Sequence, residues 1–226
     1  MELVQKRGSL GLRLAQMAQQ AEEKARTLPD TYYRVLRKSV AYLRDSGLFD
    51  GALKEGDSLP AFKLQNASRV FIESRDLLAR GPLVISYFRG DWCQFCSETL
   101  RALAEIDAEV RQMGATQVAI SPDLPEFTTE TVHKMTLPFE VLSDSNSKFG
   151  LRCGISYPMP GDLAEAYHAI PFINRHGSAD FFLPIPAVFI ADQFGIVRLS
   201  YTEPDYEKRL EPQTILDTLE RLRAIS

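Results

Sequence analysis

Two cysteines three residues apart, Cys93 and Cys96, stand in the stretch YFRGDWCQFCSETL, directly after an apolar run. A pair at this spacing suits one of three tasks: clipping a metal, stapling the fold as a disulfide, or cycling as a reactive dithiol. A zinc site usually takes four ligands, often from two such pairs. Elsewhere the chain offers only Cys153 and the scattered His133, His168 and His176, none at metal-ligand spacing, so no metal or other cofactor is expected. A reactive couple instead needs a nucleophile at one sulfur and a leaving group or resolver at the other. Three neighbours carry further chemistry. Arg89 either polarises a substrate bond or is a solvated loop charge. Trp92 either packs beside the pair or is an ordinary core tryptophan. Asp91 is expected to cap the helix that follows.

The pair must be held by the elements around it. Leu83–Phe88 (LVISYF) reads as a fully buried strand, and Thr116–Ser121 (TQVAIS) as a second. Between them Leu100, Leu103, Ile106, Val110 and Met113 recur at helical spacing, predicting a helix from about Cys93 to Met113 that Gly114 closes. Strand, helix and strand in that order imply parallel pairing through a right-handed crossover. Cys93 then falls at the strand-to-helix junction and Cys96 one turn inside the helix. There free N–H groups and the helix dipole favour thiolate over thiol. A short strand is expected at Arg69–Ile72. Toward the C-terminus, AVFIAD and IVRLSY flank Gln193-Phe194-Gly195 as a hairpin, and Pro212 opens a last helix carrying Ile215, Leu216, Leu219 and Leu222. The body is thus a βαβ unit, a variable middle, and ββα.

Residues 1–50 form a different unit, an N-terminal helical extension ahead of a domain over 51–226. Leu10, Leu14, Met17, Ala21 and Ala25 lie on one helical face, and Leu36, Val40 and Leu43 on another, with Pro29-Asp30 between and Gly47 at the end. The extension is expected to fold back as padding on the body, with a homodimer interface as the alternative.

Composition narrows the setting. The 226 residues are 45% apolar and 25% charged, ordinary for a globular domain, and the net charge of −4 argues against nucleic acid or an anionic membrane as partner. Arg13 and Gln16 interrupt any signal-like apolar core, and no run approaches a membrane span, so the expected location is the cytoplasm. In that compartment close-spaced cysteines are catalytic or metal-binding more often than structural.

FRGDWCQFC resembles the thioredoxin Trp-Cys-x-x-Cys motif set in a peroxiredoxin-like frame. GDSLPAFKL, GATQVAISPD, PFEVLSDSNSKFG and LPIPAVFIADQFGIVRLSY extend the resemblance from about Gly56 toward the C-terminus. Together these are similar to the alkyl hydroperoxide reductase/thiol-specific antioxidant group, in its peroxiredoxin-like branch. The resemblance implies an α/β thioredoxin-like fold with a central mixed sheet flanked by helices. It also implies a thiol peroxidase that reduces hydroperoxides and is regenerated by thioredoxin or glutathione. In that register Cys96 takes the peroxidatic place, Cys93 replaces the motif Thr, and Gly90 or Arg89 stands near the motif proline. The place of the family arginine falls at or beside Pro186, which instead resembles the cis-proline that faces the cysteines in thioredoxins. As a peroxidase, Cys96 attacks and Cys93 resolves. As a thioredoxin-like disulfide oxidoreductase the roles reverse, and a redox-sensing interaction module is a third reading. Cys153, outside any motif, is expected to be a buried structural thiol.

Overall fold

The computed structural model describes residues 9–25, 31–159, 161, 175, 176 and 182–224. Seven strands form one mixed sheet in the order β2-β1-β5-β4-β3-β8-β9, where β1 is Lys63–Asn66, β2 Phe71–Glu73, β3 Leu83–Tyr87, β4 Thr116–Ser121, β5 Glu140–Ser143, β8 Ala187–Ala191 and β9 Val197–Thr202. Strands β6 (Ser156–Pro158) and β7 (Phe182–Pro184) pair separately. The expected βαβ unit is β3, helix α4 (Gln94–Gln112) and β4, with β3 and β4 parallel. The expected ββα unit is β8, β9 and helix α7 (Pro212–Ala224), with the hairpin strands antiparallel. The two units join where β3 pairs antiparallel with β8.

Strands β3 and β8 are buried along their whole length, which is why both read as unbroken apolar runs. Their side chains alternate between two cores. Val84, Val188 and Ile190 face the layer containing α4 and α7, while Leu83, Ile85, Tyr87 and Phe189 face the opposite layer. The second layer holds Phe149 of α6 (Lys148–Arg152) and Leu77 of α3 (Ser74–Leu78). Helix α5 (Pro125–Met135) follows β4, and it is the main element that periodicity did not anticipate. The expected strand at Arg69–Ile72 begins only at Phe71, because Arg69 has a left-handed φ of 61° in the turn from β1.

The N-terminal helices, α1 (Leu10–Ala25) and α2 (Thr31–Asp45), pack on the body. Leu10 and Leu14 are each 2% exposed and enter the α4/α7 core, whereas Leu43 enters the other one. The two helices therefore sit against opposite faces of the sheet. Burying a leucine fully is worth about 1.5–3 kcal/mol. Pro29-Asp30 and the Leu36 side chain lie outside the described residues, as does His168. Among the described residues no helix is long and apolar enough to cross a membrane.

Candidate functional site

The chain leaves β3 through Phe88, Arg89, Gly90, Asp91 and Trp92, and Cys93 is the N-cap of α4. Gly90 holds φ at 140°, and a Cβ there would collide with the Trp92 indole nitrogen, so this turn requires glycine. Cys96, in the first turn of α4, is wholly buried, and Cys93 is 6% exposed. Their sulfurs hydrogen-bond to each other.

Three groups converge on Cys96 besides its partner thiol. The Arg209 guanidinium places Nη2 3.3 Å from Sγ. The Arg89 backbone N–H donates to the same sulfur, and the buried Arg89 side chain adds its charge. Burial alone would push the Cys96 thiol up. The Cys93 hydrogen bond and the two guanidinium charges, Arg209 ahead of Arg89, overturn that and hold Cys96 well below the ordinary thiol range. Cys93 moves the opposite way: its hydrogen bond to Cys96, its burial and the Cys96 charge all raise it, against the two arginines. Within the pair, Cys96 is therefore the sulfur favoured to carry the negative charge and Cys93 the one favoured to keep its proton.

Arg89 is not a solvated loop charge. It is 4% exposed, 4.9 Å from the Trp92 ring centroid and 5.2 Å from that of Tyr206. Tyr206 also meets Phe95 edge-on at 5.7 Å. Trp92 packs against both cores, immediately before the pair.

Two sequence expectations require correction. No peptide bond among the described residues is cis, so Pro186 is trans. The trans form is the lower in energy by about 0.5–1 kcal/mol for an X–Pro bond, and the run from β7 into β8 accommodates it. Pro186 lines a small cavity with Arg89 and Tyr206, and its carbonyl accepts from the Glu203 N–H. Asp91 does not cap α4 with its side chain. Its carboxylate instead binds Arg175 at 2.6 Å and Lys134 at 3.1 Å, while its carbonyl accepts from Ser97 Oγ. Two cations offer a nearly buried carboxylate stronger, charge-assisted partners than a backbone N–H of the helix would.

Arg175 bridges Asp91 to the fully buried Asp123 at 3.2 Å. Burial drives the Asp123 carboxyl up to about 7 against the pull of Arg175, and the charges of Asp91 and Cys96 add to the rise. Beside it, burial and the arginines push His176 down to about 4. Cys153 lies apart in the opposite core, fully buried, its thiol pushed up to about 12 by burial and by Asp144.

Sequence reasoning missed Arg209. It lies 113 residues beyond Cys96, in the charged segment between β9 and α7, and no local pattern marks it. Its only sequence signal is position: a lone arginine between two prolines, where a strand ends and a helix begins.

The AhpC/TSA family profile matches residues 56–200, which includes both cysteines and stops short of Arg209. A Haemophilus influenzae protein described as "Putative peroxiredoxin bcp" is 28% identical over 130 residues, covering 56% of this chain and 83% of its own. Two solved structures share the fold. Reduced Prx3 of Vibrio vulnificus in complex with H2O2 superposes with a TM-score of 0.60 at 17% identity, over 74% of this chain and 99% of its own. A yeast mitochondrial 1-Cys peroxiredoxin, solved to explain thiol resolution through glutathione/thioredoxin systems, superposes with a TM-score of 0.60 at 15% identity, over 76% and 77%.

Proposed function

The chain belongs to the AhpC/TSA family, and we propose that it is a thiol-dependent peroxidase in which Cys96 attacks and Cys93 resolves. The observation that carries the reading is the Arg209 guanidinium 3.3 Å from a buried Cys96 sulfur whose other partner is the Cys93 thiol. That arrangement favours one thiolate, and in the proposed reaction the same guanidinium would stand beside the sulfur as negative charge moves onto the departing oxygen.

The Cys96 thiolate attacks one oxygen of a hydroperoxide, forming an S–O bond as the O–O bond breaks heterolytically. The departing alkoxide takes the proton of the Cys93 thiol and leaves as an alcohol, and Cys96 becomes a sulfenic acid. The Cys93 thiolate then attacks the Cys96 sulfur, forming the disulfide and expelling hydroxide, which is protonated to water. A dithiol such as thioredoxin, or two glutathione thiols, returns two electrons and two protons by exchange. The H2O2 complex and the glutathione/thioredoxin chemistry named for the two structural neighbours fit these partners.

The disulfide-oxidoreductase alternative places the thiolate on Cys93. The polarity of the pair opposes it, since Cys93 is raised and Cys96 lowered. Single-turnover reduction of hydroperoxide by the pre-reduced protein tests the assignment. One equivalent consumed per Cys96, with a Cys93–Cys96 disulfide as product, is the expected result. A pre-reduced protein that exchanges with protein disulfides yet leaves peroxide untouched would overturn it.

A further inference from the structure

The segment from Glu203 to Glu211 that delivers Arg209 is held from both ends by the N-terminal helices. At one end the Glu211 carboxylate accepts from the backbone N–H groups of Leu10 and Gly11, at 3.0 and 2.7 Å, in the first turn of α1. At the other, Arg44 in the last turn of α2 donates to Glu203 at 3.3 Å and Asp205 at 3.0 Å. Between these anchors Arg209 Nη1 donates to the carbonyls of Tyr206 and Lys208, at 2.5 and 2.6 Å, which leaves Nη2 for Cys96. Helix α1 is also tied to the helix that carries Cys96. Arg13 pairs with Glu98 and Glu105 of α4 at 3.0 and 3.3 Å, and Leu10 and Leu14 enter the core that contains Cys96.

We propose that the N-terminal extension positions the reaction's arginine: Glu211 and Arg44 act as positioning residues that hold Arg209 against Cys96. This inference rests on the assignment of Cys96 as the attacking sulfur. It gives the extension a part in the chemistry beyond covering apolar surface. A guanidinium on a charged surface segment has many rotamers and water to bind. Fixing both ends of its segment removes that freedom before substrate arrives.

The test is the pH dependence of Cys96 alkylation by iodoacetamide, followed by mass spectrometry of the Cys96 peptide, which requires no peroxide. The charged and titratable groups facing Cys96 are Cys93 at the helix mouth, Arg89 from the loop after β3, Arg209 from the segment after β9, and Asp123 from the loop after β4. Arg209→Gln sets the scale, since loss of an opposite charge at this range raises a pKa by about 1–3 units. Glu211→Gln and Arg44→Gln should each raise the Cys96 midpoint by part of that shift, and Arg44→Lys should recover most of it. Neither arm variant should raise it further once Arg209 is Gln. Arg44 is a half-exposed surface cation, so its variants keep the fold, and a melting temperature confirms this for each. An unchanged midpoint in Glu211→Gln and Arg44→Gln, or equal shifts whether position 209 is Arg or Gln, overturns the proposal. A peroxidase assay that fails while these shifts appear would count against the Cys96 reaction and leave the positioning intact.

Discussion

Arg209→Gln separates what the guanidinium does for the thiolate from what it does for the peroxide. At 3.3 Å the ion pair with Cys96 is worth about 5 kcal/mol at an effective dielectric of about 20. Desolvation of both partners offsets much of this, and the surviving shift in a pKa is about 1–3 units. At a pH below the parental pKa, where neither protein is fully ionised, the thiolate fraction therefore falls about 10- to 1000-fold. The two functions respond differently to pH. In stopped-flow measurements from acid to alkali, alkylation of the variant should climb back to the parental rate once Cys96 is fully ionised. Peroxide reduction should recover only in part, because no cation remains where charge builds on the leaving oxygen, and one such donor is worth about 10²–10³ in rate. Full recovery of both rates would confine Arg209 to thiolate stabilisation. An unshifted alkylation midpoint would refute the electrostatic reading of the site.

Cys93→Ser should yield a sulfenic acid on Cys96 that dimedone traps after one peroxide equivalent, and turnover with a thioredoxin system should stop; modification of Cys153 in its place would contradict the roles assigned. Cys153→Ser should leave the first catalytic cycle intact and cost about 1–3 kcal/mol of stability in a denaturant titration, as a hydroxyl enters an apolar cluster. Leu14→Ala, in a side chain 2% exposed, should cost about 2–5 kcal/mol, and an unaltered denaturation midpoint would show that α1 does not share the core. Asp123 has a folded pKa of about 7 against an ordinary 3.8, so the stability it contributes is complete at low pH and is lost as pH rises through about 7. Asp123→Asn should remove that fall, which runs from about pH 4 to about pH 7 and is at most about 4 kcal/mol from the shift, as read from melting temperatures across that range. His176, lowered to about 4, works in the opposite direction, losing its contribution as pH falls from about 6.5.

The framework of the site was legible because it is made of local patterns. LVISYF, TQVAIS and AVFIAD are strands buried on both faces, and such strands appear in sequence as apolar runs bounded by turns. The stripe from Leu100 to Val110 is a one-faced helix, so its start, and with it the place of the cysteines, could be read directly. Helix α5 escaped because PEFTTETVHKM has little apolar stripe. It buries Thr128 and Thr131, whose hydroxyls bond back to carbonyls one turn earlier. Asp91 was misread because a lone acidic residue before a helix looks like a cap. Its partners Lys134 and Arg175 lie 43 and 84 residues away. Arg209 was invisible for the same reason: its part in the site depends on tertiary placement, and charged loop segments carry no period. Pro186 was read by analogy with a motif position, and isomer state is a tertiary property.

The contact between the two sulfurs has a consequence for durability under oxidant. A sulfenic acid survives until a thiol reaches it, and in that interval a second peroxide can carry the sulfur on to sulfinic acid, from which most proteins do not return. Where the resolving thiol sits on a distant segment, the interval is set by unfolding and re-docking, on the scale of microseconds to seconds. In the proposed reaction the resolving Cys93 stands at the N-cap of the same helix and already hydrogen-bonds the Cys96 sulfur, so closing the disulfide would be a matter of side-chain rotation. The exposure of the vulnerable intermediate is thereby shortened by geometry alone. Under the proposed mechanism, this geometry would favour continued turnover at high peroxide over accumulation of an over-oxidised form.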